Sequence, residues 1–103
     1  MTLEQPCSNE YLIQHAQRLK VCGHPLRLRL LCAISQSGET CVSELWECVR
    51  QPQPVVSQHL SILKDRGIVD SEIQGNRRVY SIVDPFIDKL VKRIIAEQPS
   101  ETV

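Results

Sequence analysis

Hydrophobic residues in the first two-thirds of the chain recur every three or four positions, which is the spacing of one face of an α-helix. Glycine and proline interrupt this pattern and divide the region into four predicted helices, at residues 9–21, 25–37, 42–49 and 54–66. Ser8 or Asn9 can cap the first helix, and Pro25 and Pro54 suit the first turns of the second and fourth. The region is therefore predicted to be helical.

After residue 67 the spacing of apolar positions shortens to every second residue, as in a β-strand. Two short extended runs carry the apolar residues Ile68, Ile73, Val79 and Tyr80. Gly75 and Asn76 join the runs, and such a pair favours the tight turn of a β-hairpin. Asp84 and Pro85 then begin a last helix, whose apolar residues cover more than one packed face. The predicted fold is mainly α with a small β-hairpin, in the order ααααββα.

The length and composition are those of one small globular domain. The chain has 103 residues, 42% hydrophobic and 23% charged, which argues against a disordered or a membrane protein. We expect a single domain over residues 1–103, with flexible tails at about 1–8 and 98–103. The apolar runs are far shorter than the ~20 residues that span a bilayer, and the first residues lack the features of a secretory signal. The protein is therefore expected to be cytoplasmic and without membrane contact.

Two predicted features present polar side chains in a way that suits nucleic acid. The third and fourth helices are short, a tight turn joins them and a hairpin follows, which is the layout of a winged helix–turn–helix. Opposite its apolar stripe, the fourth helix carries side chains that can bond base edges or phosphates: Gln53, Ser57, Gln58, Ser61 and Lys64. Arg77 and Arg78 lie at the hairpin tip, where arginine suits phosphate or the minor groove.

The overall charge gives this interpretation little support, because 12 basic and 12 acidic residues cancel. The local balance is mildly basic: five lysines and arginines between residues 50 and 80 stand against three acidic residues, Asp65, Asp70 and Glu72. The alternative is a solvated helix face beside an ordinary surface hairpin. The succession of helix pair, hairpin and arginine tip favours the DNA-binding interpretation.

Four segments, HPLRLRLL, ETCVSELWE, QPVVSQHLSILKDRGIV and GNRRVYSI, resemble the ArsR/SmtB family of metalloregulatory repressors. Together they span about residues 19–90. The resemblance implies a homodimer through the first and last helices and a double-stranded operator with two-fold symmetry. It also implies recognition positions in the fourth helix and the wing: Gln53, Ser57, Gln58, His59, Arg77 and Arg78.

The three histidines give no indication of catalysis. His15, His24 and His59 have no spacing to a nucleophile or a carboxylate pair, and the chain has no glycine-rich phosphate loop. The protein is therefore not expected to be an enzyme. For His59 two interpretations stay open: contact with DNA, or packing between helices with a hydrogen bond to the backbone.

Five cysteines are an odd number and contain no C-x-x-C pair, which argues against a disulfide framework and a zinc ribbon. The family's arsenic, lead and cadmium sensors carry E-L-C-V-C-D-L at the start of the third helix. This chain keeps the first thiol as Cys41 and has Ser43 in place of the second. Cys48 lies about 10 Å further along the same helix, too far to share a metal with Cys41. The resemblance implies that Cys7, in an N-terminal arm, joins Cys41 across the dimer.

The remaining thiols are more ordinary. Cys32 resembles the second-helix cysteine of persulfide- and peroxide-responsive members, but the last helix has no partner cysteine, so Cys32 is expected in the core unless another cysteine substitutes. Cys22 is expected in the core or near the dimer seam. At the family's zinc site Asp84 matches the first acid, whereas Phe86 and Glu97 stand where histidines are expected, so zinc is not expected there.

These observations predict a sequence-specific DNA-binding repressor that a thiophilic metal(loid) of the arsenic, cadmium or lead type releases from DNA. Thiol-based sensing of redox state or reactive sulfur, and a family member that has lost its sensor, are alternatives. A winged helix that binds a protein partner is the alternative from another class.

Overall fold

The computed structural model describes residues 9–38 and 40–99. Its helices are α1 (Asn9–Cys22), α2 (Pro25–Ser37), α3 (Val42–Val49), α4 (Gln53–Asp65) and α5 (Pro85–Glu97). Its strands are β1 (Thr40–Cys41), β2 (Val69–Gln74) and β3 (Arg77–Ile82). The five predicted helices and the hairpin are all present in the predicted order. None of the helices in these residues is long and apolar enough to cross a membrane.

Strand β1 was not predicted. It pairs antiparallel with β3, with Thr40 opposite Tyr80 and Cys41 opposite Val79, so the sheet order is β1-β3-β2. A two-residue strand is too short to show an alternating pattern, and its hydrogen bonds depend on a strand distant in sequence. The pairing attaches the beginning of α3 to the hairpin.

Local residue chemistry determines the two turns around the predicted binding surface. Arg50 ends α3 in the left-handed conformation with φ 57°, and its N–H bonds the Trp46 carbonyl at 2.8 Å. Pro52 follows at the N-cap of α4 and accepts the N–H of Val56 at 3.1 Å. In the hairpin, Gly75 adopts φ 66°, which glycine allows without strain. Both turns are tight, as predicted.

Helix α2 lies at the centre of the domain and packs against α3, α4, α5 and β3. The core consists of aliphatic side chains that are fully or almost fully buried, including Leu30, Leu31, Ile34, Leu45, Val49, Val56, Leu60, Leu63, Ile87 and Val91. Each such burial contributes roughly 1.5–3 kcal/mol relative to an exposed side chain. The core therefore holds α3 and α4 at a defined angle to α2.

A charged contact connects α1 to the beginning of α5. Arg18 Nε donates to Asp84 Oδ2 at 2.7 Å, and the other oxygen of Asp84 accepts the N–H of Ile87 at 3.0 Å as the N-cap of α5. The His15 ring lies against the Phe86 ring, with centroids 4.1 Å apart. Both oxygens of the acid that matches the family's zinc position are thus engaged within the protein.

We predict that Arg18→Ala lowers the free energy of unfolding by about 1–3 kcal/mol, because it leaves one oxygen of a buried carboxylate without its donor. Lys20→Ala is the matched control on the exposed face of α1 and should change stability by less than about 0.5 kcal/mol. Urea unfolding of both variants at the same protein concentration measures the difference. Equal stability of the two variants would contradict a stabilising role for the Arg18–Asp84 pair.

Candidate nucleic-acid interface

Helix α4 has one buried and one exposed stripe, as the sequence predicts. Val56, Leu60 and Leu63 are fully buried against the core. On the other side Gln53, Gln58, Ser61 and Lys64 are exposed, and Ser57 is half-buried. The structure therefore leaves the predicted polar stripe open to a partner.

The N-terminal end of α4 favours an anion. Gln53 is the first residue of the helix, Ser57 lies about one turn further, and the first turn has no acidic side chain. Helix N-termini carry a partial positive charge and N–H groups directed along the axis. This end of α4 can therefore accept a phosphate, beside polar side chains that are able to bond base edges.

His59 is directed toward α2. Its Nδ1 accepts a hydrogen bond from Arg27 Nε at 3.1 Å, and its ring centroid lies 4.7 Å from that of His24. Burial lowers the pKa of His59, and the neighbouring His24 and Arg27 lower it further, so the ring is neutral at pH 7. The contacts agree with packing between helices, although the partner is the Arg27 side chain rather than a backbone group. With Nδ1 as acceptor, the neutral ring carries its proton on Nε2.

A single hydroxyl joins α4 to the hairpin of β2 and β3, which is the predicted wing. Ser71 Oγ in β2 accepts from Lys64 Nζ of α4 and from Arg78 Nη1 of β3, each at 3.1 Å. Because the shared acceptor is a neutral hydroxyl, this contact brings the two cations together without neutralising either. Sequence reasoning missed Ser71, since nothing in its local sequence indicates which side chains lie across the hairpin.

Arg77 extends to the other side of the wing. Its Nη2 lies 3.5 Å from Glu44 Oε2 at the beginning of α3, and more than half of each side chain is exposed. Exposed pairs of this kind contribute little to stability and are weakened by salt. Successive residues of a strand face opposite sides, so Arg77 contacts Glu44 of α3 whereas Arg78 contacts Ser71 of β2. A phosphate can compete with Glu44 for Arg77 at little cost.

Cys41 forms the N-cap of α3 and is 5% exposed. The Glu44 carboxylate accepts the Cys41 N–H at 3.3 Å, and the Ser43 hydroxyl lies 3.3 Å from the Cys41 sulfur. The hydrogen bond from Ser43 lowers the pKa of the Cys41 thiol, and hydrogen bonds from the Glu44 N–H and from Arg77 lower it further. Cys7, the predicted companion of Cys41, lies outside the described residues.

The other three thiols differ from Cys41. Cys22 is in the core, and burial together with the Asp84 charge raises its pKa to about 11. Cys32 is half-buried, and burial raises its pKa as well, whereas Cys48 is exposed. Within residues 9–38 and 40–99, no three His, Cys, Asp or Glu side chains are grouped to hold a metal ion.

The chain is similar to known bacterial regulators. Residues 24–71 match the family model described as bacterial regulatory protein, arsR family. The chain is 30% identical over 102 residues to the transcriptional repressor SmtB of Mycobacterium tuberculosis, covering 99% of this chain and 75% of the relative. The relatives are DNA-binding regulators, not enzymes.

Solved structures share the fold. An antimony-specific transcriptional repressor, AntR, superposes with a TM-score of 0.80 at 30% identity, covering 89% of this chain and 83% of that one. A homodimeric winged helix–turn–helix DNA-binding domain of Mycobacterium bovis gives 0.73 at 24% identity, covering 93% and 88%. The chain therefore belongs to the ArsR/SmtB family of winged helix–turn–helix transcriptional repressors.

Proposed function

We propose that this repressor binds a two-fold symmetric operator as a homodimer, and that a thiophilic metal(loid) bound at Cys41 releases it. The observation that carries the DNA part is the contact at Ser71, which joins Lys64 of α4 to Arg78 of the wing. Recognition helix and wing then present one surface to the duplex. A net charge of zero is no obstacle, because only the charges on this surface meet phosphates.

The side chains divide by chemistry into those that read bases and those that bind phosphates. The amides and hydroxyls on the open side of α4 suit base edges in the major groove. They belong to Gln53, Ser57, Gln58 and Ser61. The cationic side chains, Lys64, Arg77 and Arg78, suit phosphates or the minor groove. His59 takes part through its Nε2, since Nδ1 is held by Arg27.

The dimer is proposed to form through α1 and α5. Val21 and Cys22 are the buried residues of α1, so this helix contributes little to the core of its own domain. Large apolar side chains on the two helices are instead exposed, namely Tyr11, Leu12, Ile13, Leu19 and Ile94. An apolar face of this kind is typical of an interface between subunits. The related fold from Mycobacterium bovis is homodimeric.

The inducer site is proposed at Cys41 with Cys7 as its second thiol. A lowered pKa favours the thiolate that soft ions bind. A metal(loid) on this sulfur takes the lone pairs that now accept hydrogen bonds, including the one from Arg77. Glu44 bonds the Cys41 N–H with one oxygen and contacts Arg77 with the other, so a change at Cys41 reaches a DNA-contacting residue directly. A structurally similar repressor is antimony-specific.

We expect Arg78→Ala and Gln58→Ala to weaken DNA binding in different ways. Arg78→Ala should weaken binding to all sequences alike and reduce the slope of log affinity against log salt by about 1 per protomer, because a phosphate contact is lost. Gln58→Ala should lower the preference for the operator by about 1–3 kcal/mol, because a base contact is lost. Fluorescence anisotropy with the DNA upstream of the protein's own gene and with mixed-sequence DNA measures both.

Arg93→Ala is the control for Arg78→Ala, because Arg93 is an exposed arginine of α5 that pairs with Glu97. It should leave affinity and salt slope unchanged. Wild-type protein that shows no salt-sensitive binding to the upstream DNA would refute the DNA contact surface. A protein-interaction role would then be the better interpretation.

Ile13→Glu should convert the dimer to a monomer, because it places a charge within the apolar face of α1. Ile13 is 55% exposed in the single chain, so the substitution does not disturb the core of the domain. Ile73→Glu is the matched control, since Ile73 is 65% exposed but lies on β2 in the wing. Sedimentation velocity should give a monomer for the first variant and a dimer for the second. A dimeric Ile13→Glu would place the interface elsewhere.

Cys41→Ser should raise the antimony(III) concentration needed for half-release from DNA by about tenfold or more, because serine is a poor ligand for soft ions. Cys7→Ser should have a similar effect. Cys22→Ala is the control, since it removes a buried thiol with a raised pKa and should leave release unchanged. If Cys41→Ser releases like the wild type under antimony(III), arsenite and cadmium, Cys41 is not the sensor.

A further inference from the structure

Two cysteines that the proposed function does not use line the same cavity. Cys32 of α2 and Cys48 near the end of α3 both border a cavity of about 430 Å³. Leu28 and Val49 supply part of its apolar lining. Cys32 follows Leu28 by four residues, so both project from the same face of α2. The cavity thus has cysteines from two different helices among its lining residues, together with the apolar side chains of Leu28 and Val49.

A hydrogen bond fixes the two helices together next to these thiols. Arg29 Nη2 donates to the carbonyl oxygen of Val49 at 3.4 Å, and Arg29 itself lines the cavity. This bond holds the end of α3, where Cys48 lies, against the segment of α2 that carries Cys32. Cys32 and Cys48 therefore line one cavity because of packing that α2 and α3 maintain.

The two thiols differ in solvent exposure and reactivity, so an electrophile would bind them one after the other. Cys48 is exposed and accessible to a reagent from solvent. Cys32 is half-buried, and burial raises its pKa, so it is a protonated thiol at neutral pH and reacts slowly by itself. An electrophile that first binds Cys48 is then held at the cavity that Cys32 also lines, where a high local concentration favours the second bond.

The number of available ligands limits what can bind. In residues 9–38 and 40–99 no third His, Cys, Asp or Glu side chain joins a pair to form a metal site. Two thiols can replace both exchangeable groups of a trivalent electrophile. Leu28 and Val49 can then contact an organic group on its third position. We infer that Cys32 and Cys48 form a dithiol site for soft, trivalent electrophiles of this class.

Phenylarsine oxide is a probe of that class, and its reaction balances without a redox step. Two As–S bonds form and the arsenic–oxygen bond breaks. The oxygen leaves as water with the two thiol protons, and arsenic stays trivalent. The product bridges α2 to α3, about 10 Å along α3 from Cys41. The site is therefore separate from the Cys41 inducer site, and its test does not depend on DNA binding.

The test uses a full-length chain in which Cys7, Cys22 and Cys41 are replaced by C7S, C22A and C41S, leaving only the two cavity thiols. Intact-mass spectrometry after phenylarsine oxide treatment should give one phenylarsenic group per chain and no free thiol. The dithiol 2,3-dimercaptopropanol should remove the group. Adding C32A or C48S to this chain should weaken binding of the probe by about 100-fold or more, because one thiol loses the gain from local concentration.

The absence of an adduct in the two-cysteine chain would overturn the inference, as would an adduct that survives C48S with unchanged affinity. An arsenic bridge that joins two chains, visible as a doubled mass, would overturn it too. If the two-cysteine chain does not fold, peptide mapping of the wild-type protein and of its C48S variant replaces it. The bridged peptide pair containing Cys32 and Cys48 is then expected in the wild type and absent from the variant.

Discussion

The burial of α2 among α3, α4, α5 and β3 is the constraint on which the rest of the domain depends. Leu30, Leu31 and Ile34 are completely buried, so α2 has little freedom to rotate or slide without opening cavities. The positions of the two helix–turn–helix elements follow from that fixed surface. A change that moves α3 or α4 must therefore repack side chains against α2.

The proposed DNA-contact surface of α4 and the wing consists of polar side chains that make only weak contacts with one another. Ser71 holds Lys64 and Arg78 by hydrogen bonds to a neutral hydroxyl, and Glu44 holds Arg77 across 3.5 Å in solvent. Such contacts orient long side chains at small cost, and a phosphate offers Lys64 and Arg78 stronger bonds in which both partners are charged. A net charge of zero is therefore compatible with the proposed DNA binding, because Lys64 and Arg78 are already brought together at Ser71.

Sequence determined those parts of the structure that depend on local chemistry. The period of apolar residues, Pro25, Pro54 and the Gly75-Asn76 turn were enough to predict the helices and the hairpin. The sequence pattern could not predict β1, because its two residues form a strand only by pairing with Tyr80 and Val79. The partners of His59 and the role of Ser71 could not be predicted either, because both depend on the tertiary packing of α4 against α2 and the hairpin. Residue chemistry indicated the kind of surface, and packing decided which side chains share it.

The cysteines show how the fold gives chemically identical side chains different pKa values. Burial raises the pKa of Cys22, while hydrogen bonds at the N-terminus of α3 lower that of Cys41. Since Arg77 lowers the pKa of Cys41 and also contacts Glu44, which bonds the Cys41 N–H, the state of this thiol and the position of a wing arginine are linked in both directions. A ligand that removes the sulfur lone pair weakens the hold on Arg77, and DNA that draws Arg77 away leaves the thiolate less stabilised. By the same reciprocity, DNA-bound protein should hold its Cys41 proton more tightly than free protein.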